Sequence, residues 1–188
     1  MLPLRVLAAF LITAMVQGPP APPRGDSSSG LVVGQVVDAE SGRPITGAVV
    51  ILAGPSPAGG GPHPRILTGS DGRFVYRGLR RGAYHVYANR PGFVEGAYGR
   101  TRPGGPARPL SLADGERTSD AVVPLWRHAS ISGTVVDEAG EQLIGVRVQA
   151  YRRTIVSGRQ RFISAGTGLT DDRGIYRISG LTPGDYIV

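Results

Sequence analysis

The chain has no cysteine and no lysine, and aromatic residues fill only 6% of its 188 positions. Without cysteine there is no disulfide, no thiolate site and no lipid attachment through sulfur. Proteins on either side of a membrane tolerate that absence, so it assigns no compartment. Without lysine a Walker phosphate loop is impossible, and no Gly-x-Ser-x-Gly nucleophile elbow occurs. The histidines are His63, His85 and His128, and none stands in the His-x-x-Glu or His-Glu-x-x-His spacing that sets zinc ligands on one helix face. No cofactor or metal site follows from such a sequence.

All basic residues other than histidine are arginine, and the formal net charge is +7. Arginine pairs such as Arg80-Arg81 and Arg152-Arg153 suit phosphate or acidic glycans, because the guanidinium fork accepts bidentate partners. They are spread over the whole chain rather than gathered in one patch, which reads as a solvated surface and not as a nucleic-acid footprint. Sixteen prolines and 29 glycines punctuate short Val/Ile/Leu/Tyr runs, and 40% hydrophobic residues argue against wholesale disorder. Short apolar runs between turn residues point to an all-β protein.

The amino terminus carries Arg5 and then an apolar run from Val6 to Val16 broken only by Thr13. At about eleven residues it is too short to span a bilayer and fits the apolar core of an export signal. Residues 1–18 are therefore expected to be a signal peptide, and the Pro/Ser-rich stretch 19–30 a linker. No stable transmembrane segment is expected after cleavage.

Beyond that point the sequence repeats itself. Val32-Val33-Gly34-Gln35-Val36-Val37-Asp38 returns as Ile131-Ser132-Gly133-Thr134-Val135-Val136-Asp137. Thr68-Gly69-Ser70-Asp71-Gly72-Arg73-Phe74 returns as Thr170-Asp171-Asp172-Arg173-Gly174-Ile175-Tyr176, and Gly82-Ala83-Tyr84 as Gly184-Asp185-Tyr186. A fixed repeat means two like units. Matched positions also orient the strands, since alternate residues face opposite sides. Ala48, Val50 and Leu52 match Val146, Val148 and Ala150 and face a core; Val49 and Ile51 match Arg147 and Gln149 and face outward. Tyr84 and Tyr186 resemble the corner tyrosine of β-sandwiches. The expected fold is all-β: two tandem small antiparallel β-sandwiches, repeat 1 over 31–95 and repeat 2 over 129–188. Between them, residues 96–128 are expected to connect the repeats, with Leu110-Leu112 and Ala121-Trp126 forming a hairpin across Ala113-Asp114-Gly115-Glu116. That hairpin is expected to cover the outward Val49 and Ile51.

Each copy thus has a Gly-x-Val-x-Asp opening, an apolar strand, a Thr-led hairpin and a Gly-Leu-x-x-Gly-x-Tyr close. This set resembles the carboxypeptidase regulatory-like domain, of the prealbumin-like (transthyretin-like) and carbohydrate-binding-like sandwich group, and is similar to collagen-adhesin B-type repeats. The resemblance implies an accessory module of secreted, surface or outer-membrane proteins, and in the metallocarboxypeptidases catalysis belongs to a separate domain. Adhesin repeats often close a lysine–asparagine isopeptide bond; with no lysine, and Asn89 the sole asparagine, that bond is excluded here.

The reading that follows is an exported, non-catalytic structural or binding module of the cell envelope: periplasmic, outer-membrane-associated or extracellular, with a polysaccharide or an envelope protein as partner. Alternatives are a carbohydrate-binding module, or the accessory N-terminal part of a larger enzyme or outer-membrane receptor. For a sugar the candidate residues are Trp126, Tyr151 and Arg147, because stacking needs exposed rings. Asp171-Asp172 reads as a solvated turn, the first copy having Gly69-Ser70 there. The second copy reaches only Tyr186-Ile187-Val188, so its last strand is expected to be a stub; a continuation of about ten residues should raise its stability. One prediction needs only a mass spectrometer: the intact mass should match the sequence of the mature chain, and loss of one ammonia or water would contradict it.

Overall fold

The computed structural model describes residues 29–57 and 59–188. The export signal expected at 1–18, and most of the linker expected at 19–30, lie outside the described residues. The first half contains β1 (Gly30–Asp38), β2 (Val49–Ala53), β3 (Ile66–Leu67), β4 (Arg73–Leu79), β5 (Gly82–Asn89), β6 (Phe93–Val94), β7 (Gly96–Ala97), β8 (Leu110–Leu112) and β9 (Arg117–Arg127). They form two facing layers. One sheet runs β4-β1-β9-β6; the other runs β3-β2-β5-β7, with β8 also on β5. The second half adds β10 (Ala129–Thr134), β11 (Arg147–Val156), β12 (Arg159–Leu169), β13 (Ile175–Leu181) and β14 (Tyr186–Ile187), as sheets β10-β13 and β12-β11-β14. The fold is all-β, as the alternation implies.

Alternation explains the layers. Along β1, Val32, Gly34 and Val36 point in and Leu31, Val33, Gln35 and Val37 point out. Val50 and Leu52 of β2, Phe74, Tyr76 and Leu79 of β4, and Tyr84, Val86 and Ala88 of β5 meet them in one core. In the second half Ala150, Tyr176, Ile178 and Leu181 are the buried apolar residues, with Ile131, Val135 and Val148 packed partly against them.

The repeated polar residues hold backbone. Thr68 Oγ1 donates to Ile45 O at 2.6 Å and accepts from Ala48 N at 2.9 Å; Thr170 Oγ1 does the same with Leu143 O at 2.6 Å and Val146 N at 2.9 Å. Each such bond contributes about 1 kcal/mol, and losing the hydroxyl would strand a carbonyl and an N–H. Tyr84 Oη donates to Arg80 O at 2.8 Å, and Tyr186 Oη donates to Thr182 O. Both corner tyrosines therefore tie a turn to the strand that follows it.

The segment 96–128 corrects the expected organisation. Its turn is present, closed by Glu116 N to Ala113 O at 3.2 Å, but β8 and β9 do not pair with each other. β8 pairs with β5, and β9 pairs with β1 and β6. The turn carries the chain from one layer to the other. The reason is burial: Leu110 and Leu112 of β8, and Ala121, Val123 and Leu125 of β9, all enter the core shared with Val32 and Val36. A separate hairpin would bury one face at most, whereas each strand here also closes an edge. The first sandwich consequently packs out to Arg127, beyond the expected limit at 95. Since both strands lie within the layers, they do not cover Val49 and Ile51, which sit half-buried across from Asn89 and Tyr87.

β9 also runs parallel to β1, from Leu31↔Arg117 to Asp38↔Leu125, an exception to the antiparallel expectation. A parallel pair requires a long crossover, and residues 39–116 supply it. The approach is close at Gly34. A Cβ there would stand 2.2 Å from Ala121 O and 2.4 Å from the Phe74 ring. At the matching Gly133 the atoms nearest to a Cβ belong to the Tyr176 side chain, at 2.9 Å. Gly34→Ala should therefore destabilise the first sandwich by about 3 kcal/mol, and Gly133→Ala should cost the second clearly less. Urea unfolding of both variants checks this; equal losses would contradict it.

Candidate binding surfaces

The candidate residues fall on different sheets. Trp126 is on β9, opposite Val94 of β6, and half-buried on the outer side of the first sheet. Tyr151 and Arg147 are on β11, in a sheet of the second half. Tyr151 donates its hydroxyl to Gln149 Oε1 at 2.6 Å, so the two share a side as the alternation implies. Arg147 is exposed opposite Leu169, four residues away along the strand, or roughly 13 Å at ~3.3 Å per residue. The structure thus joins Tyr151 to its own strand face and leaves Trp126 apart from it.

Trp126 has apolar company instead. The outer side of the first sheet carries Val75 opposite Val33, Pro124 opposite Val37, Val122 next along β9, and Val94 beside the indole. Val122 is 46% exposed. The alternation of β1, β4 and β9 contained this strip, but only their adjacency in one sheet assembles it. A second face lies on the other sheet, where the His85 and Tyr87 rings stack at 6.2 Å and 20° and Tyr87 pairs with Ile51. His85 is half-buried there, and its Nδ1 has no hydrogen-bond partner.

His63, Tyr76 and Asp171 are occupied in the fold. His63 Nε2 lies 2.8 Å from Pro55 O, with its ring edge-on to Tyr76 and Tyr84. Its role is to hold the Gly/Pro-rich loop against the sandwich. Tyr76 shares its hydroxyl between Val50 O at 2.9 Å and Pro64 O at 3.0 Å, and burial pushes it up to about 12. His128 is exposed beyond β9. Asp171 Oδ1 accepts from Ile175 N at 2.8 Å and Arg173 N at 3.0 Å, and these bonds, Ile175 first, hold its carboxyl below the usual value. It is a turn carboxylate. Among the described residues no group of three or more His, Asp or Glu is placed to hold a metal ion, and no helix is long and apolar enough to cross a membrane.

Among the described residues the one buried carboxylate is Asp38, 4% exposed at the end of β1. Its Oδ1 accepts from Glu40 N at 3.0 Å and Ser41 N at 3.1 Å, and Oδ2 accepts from Arg127 Nε at 2.9 Å. The Arg127 guanidinium also lies 5.3 Å over the Phe93 ring. This junction clamps the far ends of β1 and β9. The Ser41 N–H does most to lower the Asp38 carboxyl from its usual 3.8, against desolvation, with Glu40 N–H and Arg127 adding to it.

Comparisons with known proteins give the fold a family context. Residues 32–116 match the family model of the carboxypeptidase regulatory-like domain. The match runs past residue 95, in keeping with β7 and β8 belonging to the first sandwich. Among solved structures, a streptococcal ancillary pilin is similar at TM-score 0.50 and 15% identity, covering 86% of this chain and 53% of the pilin. This chain therefore spans about half the length of that pilin, and the likeness is one of fold. The Bacillus anthracis TIE protein is similar at TM-score 0.41 and 18% identity over 84% of this chain and 27% of its own. The shaft pilin SpaA of Lactobacillus rhamnosus GG is similar at TM-score 0.37 and 11% identity over 85% of each chain. No curated protein matches the sequence significantly.

The Asp38 junction yields a pH test. A carboxyl lowered in the folded state contributes stability above its unfolded value, and that contribution is lost as pH falls through the folded value. Asp38→Asn should be less stable than the parent at neutral pH by roughly 1–3 kcal/mol. The gap should shrink once the pH drops below the usual 3.8. Trp126, the sole tryptophan and on β9, reports the transition by fluorescence. A gap unchanged between neutral and strongly acidic pH would contradict the assignment.

Proposed function

We propose, taking residues 32–116 as a carboxypeptidase regulatory-like domain, that the chain is an exported, non-catalytic β-sandwich module that serves the cell envelope as a structural and binding element. One observation carries this reading. The polar residues that the repeat retains (Thr68 and Thr170, Asp38 and Asp137, Tyr84 and Tyr186) all bind backbone with their side chains, Asp38 adding its ion pair to Arg127. The repeat preserves a scaffold. Its histidines do not face a nucleophile: one holds a loop, one stacks on Tyr87 and one stands beyond β9. Export rests on the charged and apolar pattern of residues 1–18, and the domain organisation on the repeated motif. In the producing cell the mature chain should be recovered from the envelope or medium without residues 1–18. Recovery in the cytosol at full mass would sink the proposal, as would metal-dependent release of C-terminal residues from peptides.

A polysaccharide ligand is the second reading, favoured by the indole of Trp126 standing half-exposed beside Pro124 and Val94. A flat ring flanked by apolar neighbours presents a stacking surface. Binding to insoluble polysaccharide should weaken about tenfold in Trp126→Ala, a loss of about 1.4 kcal/mol. Tyr151→Ala should matter less, since its hydroxyl is already engaged by Gln149. Retention undiminished in the double variant would exclude a stacking site at these rings.

A further inference from the structure

The second half departs from the first in the hairpin built on β11. In the first half β2 ends at Ala53 and β3 has two residues, and His63 holds the Gly/Pro-rich connection between them against the sandwich. β11 and β12 instead run on as a hairpin, from Tyr151↔Ser164 to Val156↔Arg159. Its turn is Ser157-Gly158, with φ of 50° and 76°, the left-handed pair that closes a tight two-residue hairpin. The buried core of the second half goes no farther along β11 than Ala150, and no residue from Tyr151 to Ala165 is buried. β14 runs beside the base only, from Arg152 to Tyr151, and so heads away from the tip. A cleft of about 660 Å³ separates the lower part of the hairpin from Arg102, Pro103 and Gly104, and Val156 to Phe162 take no part in it. The six residues from Ala150 to Val156 make an arm of roughly 20 Å at ~3.3 Å per residue.

This arm is cationic and apolar at once. Residues 151–165 hold four arginines and no carboxylate. Arg152 lies back toward the base, where a Cβ on Gly184 would stand 3.4 Å from its Nη2. Arg153, Arg159 and Arg161 are exposed and form no ion pair among the described residues. Asp185 lines a recess with Arg153 and Phe162 at the base, on the side away from the turn. Among the arginines stand large apolar side chains: Ile155 is 71% exposed, Phe162 57% and Val156 41%. The pairing puts Arg153, Ile155 and Phe162 on one face, and Val156, Arg159 and Arg161 on the other. Both faces therefore mix positive charge with apolar surface. Arginines that the sequence scatters are gathered here by a single turn.

We propose that this arm docks the protein on an anionic lipid surface, tip first. Arg153, Arg159 and Arg161 take the headgroup phosphates, Ile155 and Val156 enter beneath them, and the Phe162 ring lies at headgroup level. Charge complementarity selects an anion, since a guanidinium meets a phosphate bidentately and no carboxylate within the arm competes for it. The apolar side chains select lipid over a soluble polyanion. A polysaccharide would satisfy the arginines and leave Ile155, Val156 and Phe162 in water, whereas a lipid interface accepts both kinds of group in one contact. Apolar groups on both faces select entry by the tip, because a hairpin lying flat would bury one face and leave the other wet. Depth is limited by the backbone. The outer edges of a two-stranded arm carry unpaired N–H and C=O groups, which hydrocarbon would leave unsatisfied, so the tip stops ~5–10 Å into the headgroup boundary. At ~3.3 Å per residue that depth takes in the turn with Ile155 and Val156, and the Arg159 stem is long enough to bring its charge back to the phosphates. Such docking is independent of export and of the strip beside Trp126.

The probe is a vesicle of phosphatidylcholine with about a third phosphatidylglycerol, set against one of phosphatidylcholine alone. A chain begun at residue 19 keeps all fourteen described strands and omits the apolar run of residues 1–18, which would bind lipid by itself. The sequence has no cysteine, so Gln160→Cys carries an environment-sensitive dye at the tip alone, and Glu40→Cys carries it on the first half. The expected result is blue-shifted emission shielded from iodide at position 160 and not at 40, on the anionic vesicles only, and weakened by salt. Arg159→Gln with Arg161→Gln should weaken partition roughly twentyfold. Ile155→Thr with Val156→Thr, which keeps the branching a strand favours, should weaken it about tenfold. All four side chains lie on the exposed arm, so unchanged urea unfolding followed at Trp126 separates lost docking from lost fold. Equal partition onto phosphatidylcholine alone, a dye at 160 that stays in water, or partition indifferent to either pair of substitutions would each overturn the proposal. Loss with the arginine pair but not with the threonine pair would overturn it as well, the occupant then being a soluble polyanion.

Discussion

The first sandwich depends on one insertion: β9 entering beside β1. It joins the sheet that β4 and β1 begin, delivers Ala121, Val123 and Leu125 to the core, and brings Arg127 to Asp38. A small sheet with an open edge leaves both backbone groups and core side chains in water, and a single strand answers both needs. The cost is topological. A parallel neighbour cannot be reached by a tight turn, so most of the sandwich must be laid down between the two strands. Gly34 is the local expression of that constraint, where the Ala121 carbonyl takes the space of a side chain.

Much of this architecture was legible in the sequence, for a physical reason. Alternation specifies which side of a strand is buried, and the repeat supplied each assignment twice: Ala48 with Val146, Val50 with Val148, Leu52 with Ala150. The corner role of Tyr84 and Tyr186 was legible because it is local, a hydroxyl reaching four residues back. Pairing partners were not legible in the same way. Alternation in Leu110-Leu112 and Ala121-Trp126 marks two strands with one apolar face each, and that pattern is the same whether they pair together or with distant strands. The hairpin was the nearest partner, and burial chose farther ones. For the candidate site, the rings could be named from the sequence, but neither their half-burial nor their distribution over separate sheets was readable there. The outer strip beside Trp126 exists only because β1 and β9 are neighbours.

The chain also shows how a repeated motif can carry architecture without carrying chemistry. The threonine clasp recurs with the same distances in both halves, and the carboxylate at the end of the first strand and the corner tyrosine recur beside it. What differs between the halves is the outward side: Val49 and Ile51 in one, Arg147 and Gln149 in the other. Loops differ too, with a Gly/Pro-rich connection held by His63 and Tyr76 between β2 and β3, and a long hairpin through Ser157-Gly158 between β11 and β12.

The parallel run of β1 and β9 has a mechanical consequence. The chain enters this sheet at Gly30 and leaves it at Arg127, which lie at opposite ends of two strands pointing the same way. Tension applied between those points acts along the strands and tries to slide one past the other. The hydrogen bonds from Leu31 to Asp38 are then loaded together in shear, and none can be peeled open ahead of the rest. The Asp38–Arg127 ion pair sits at the end where the load leaves, as a lock on the same sliding coordinate. A module strung in line with its neighbours resists pulling along its strongest direction.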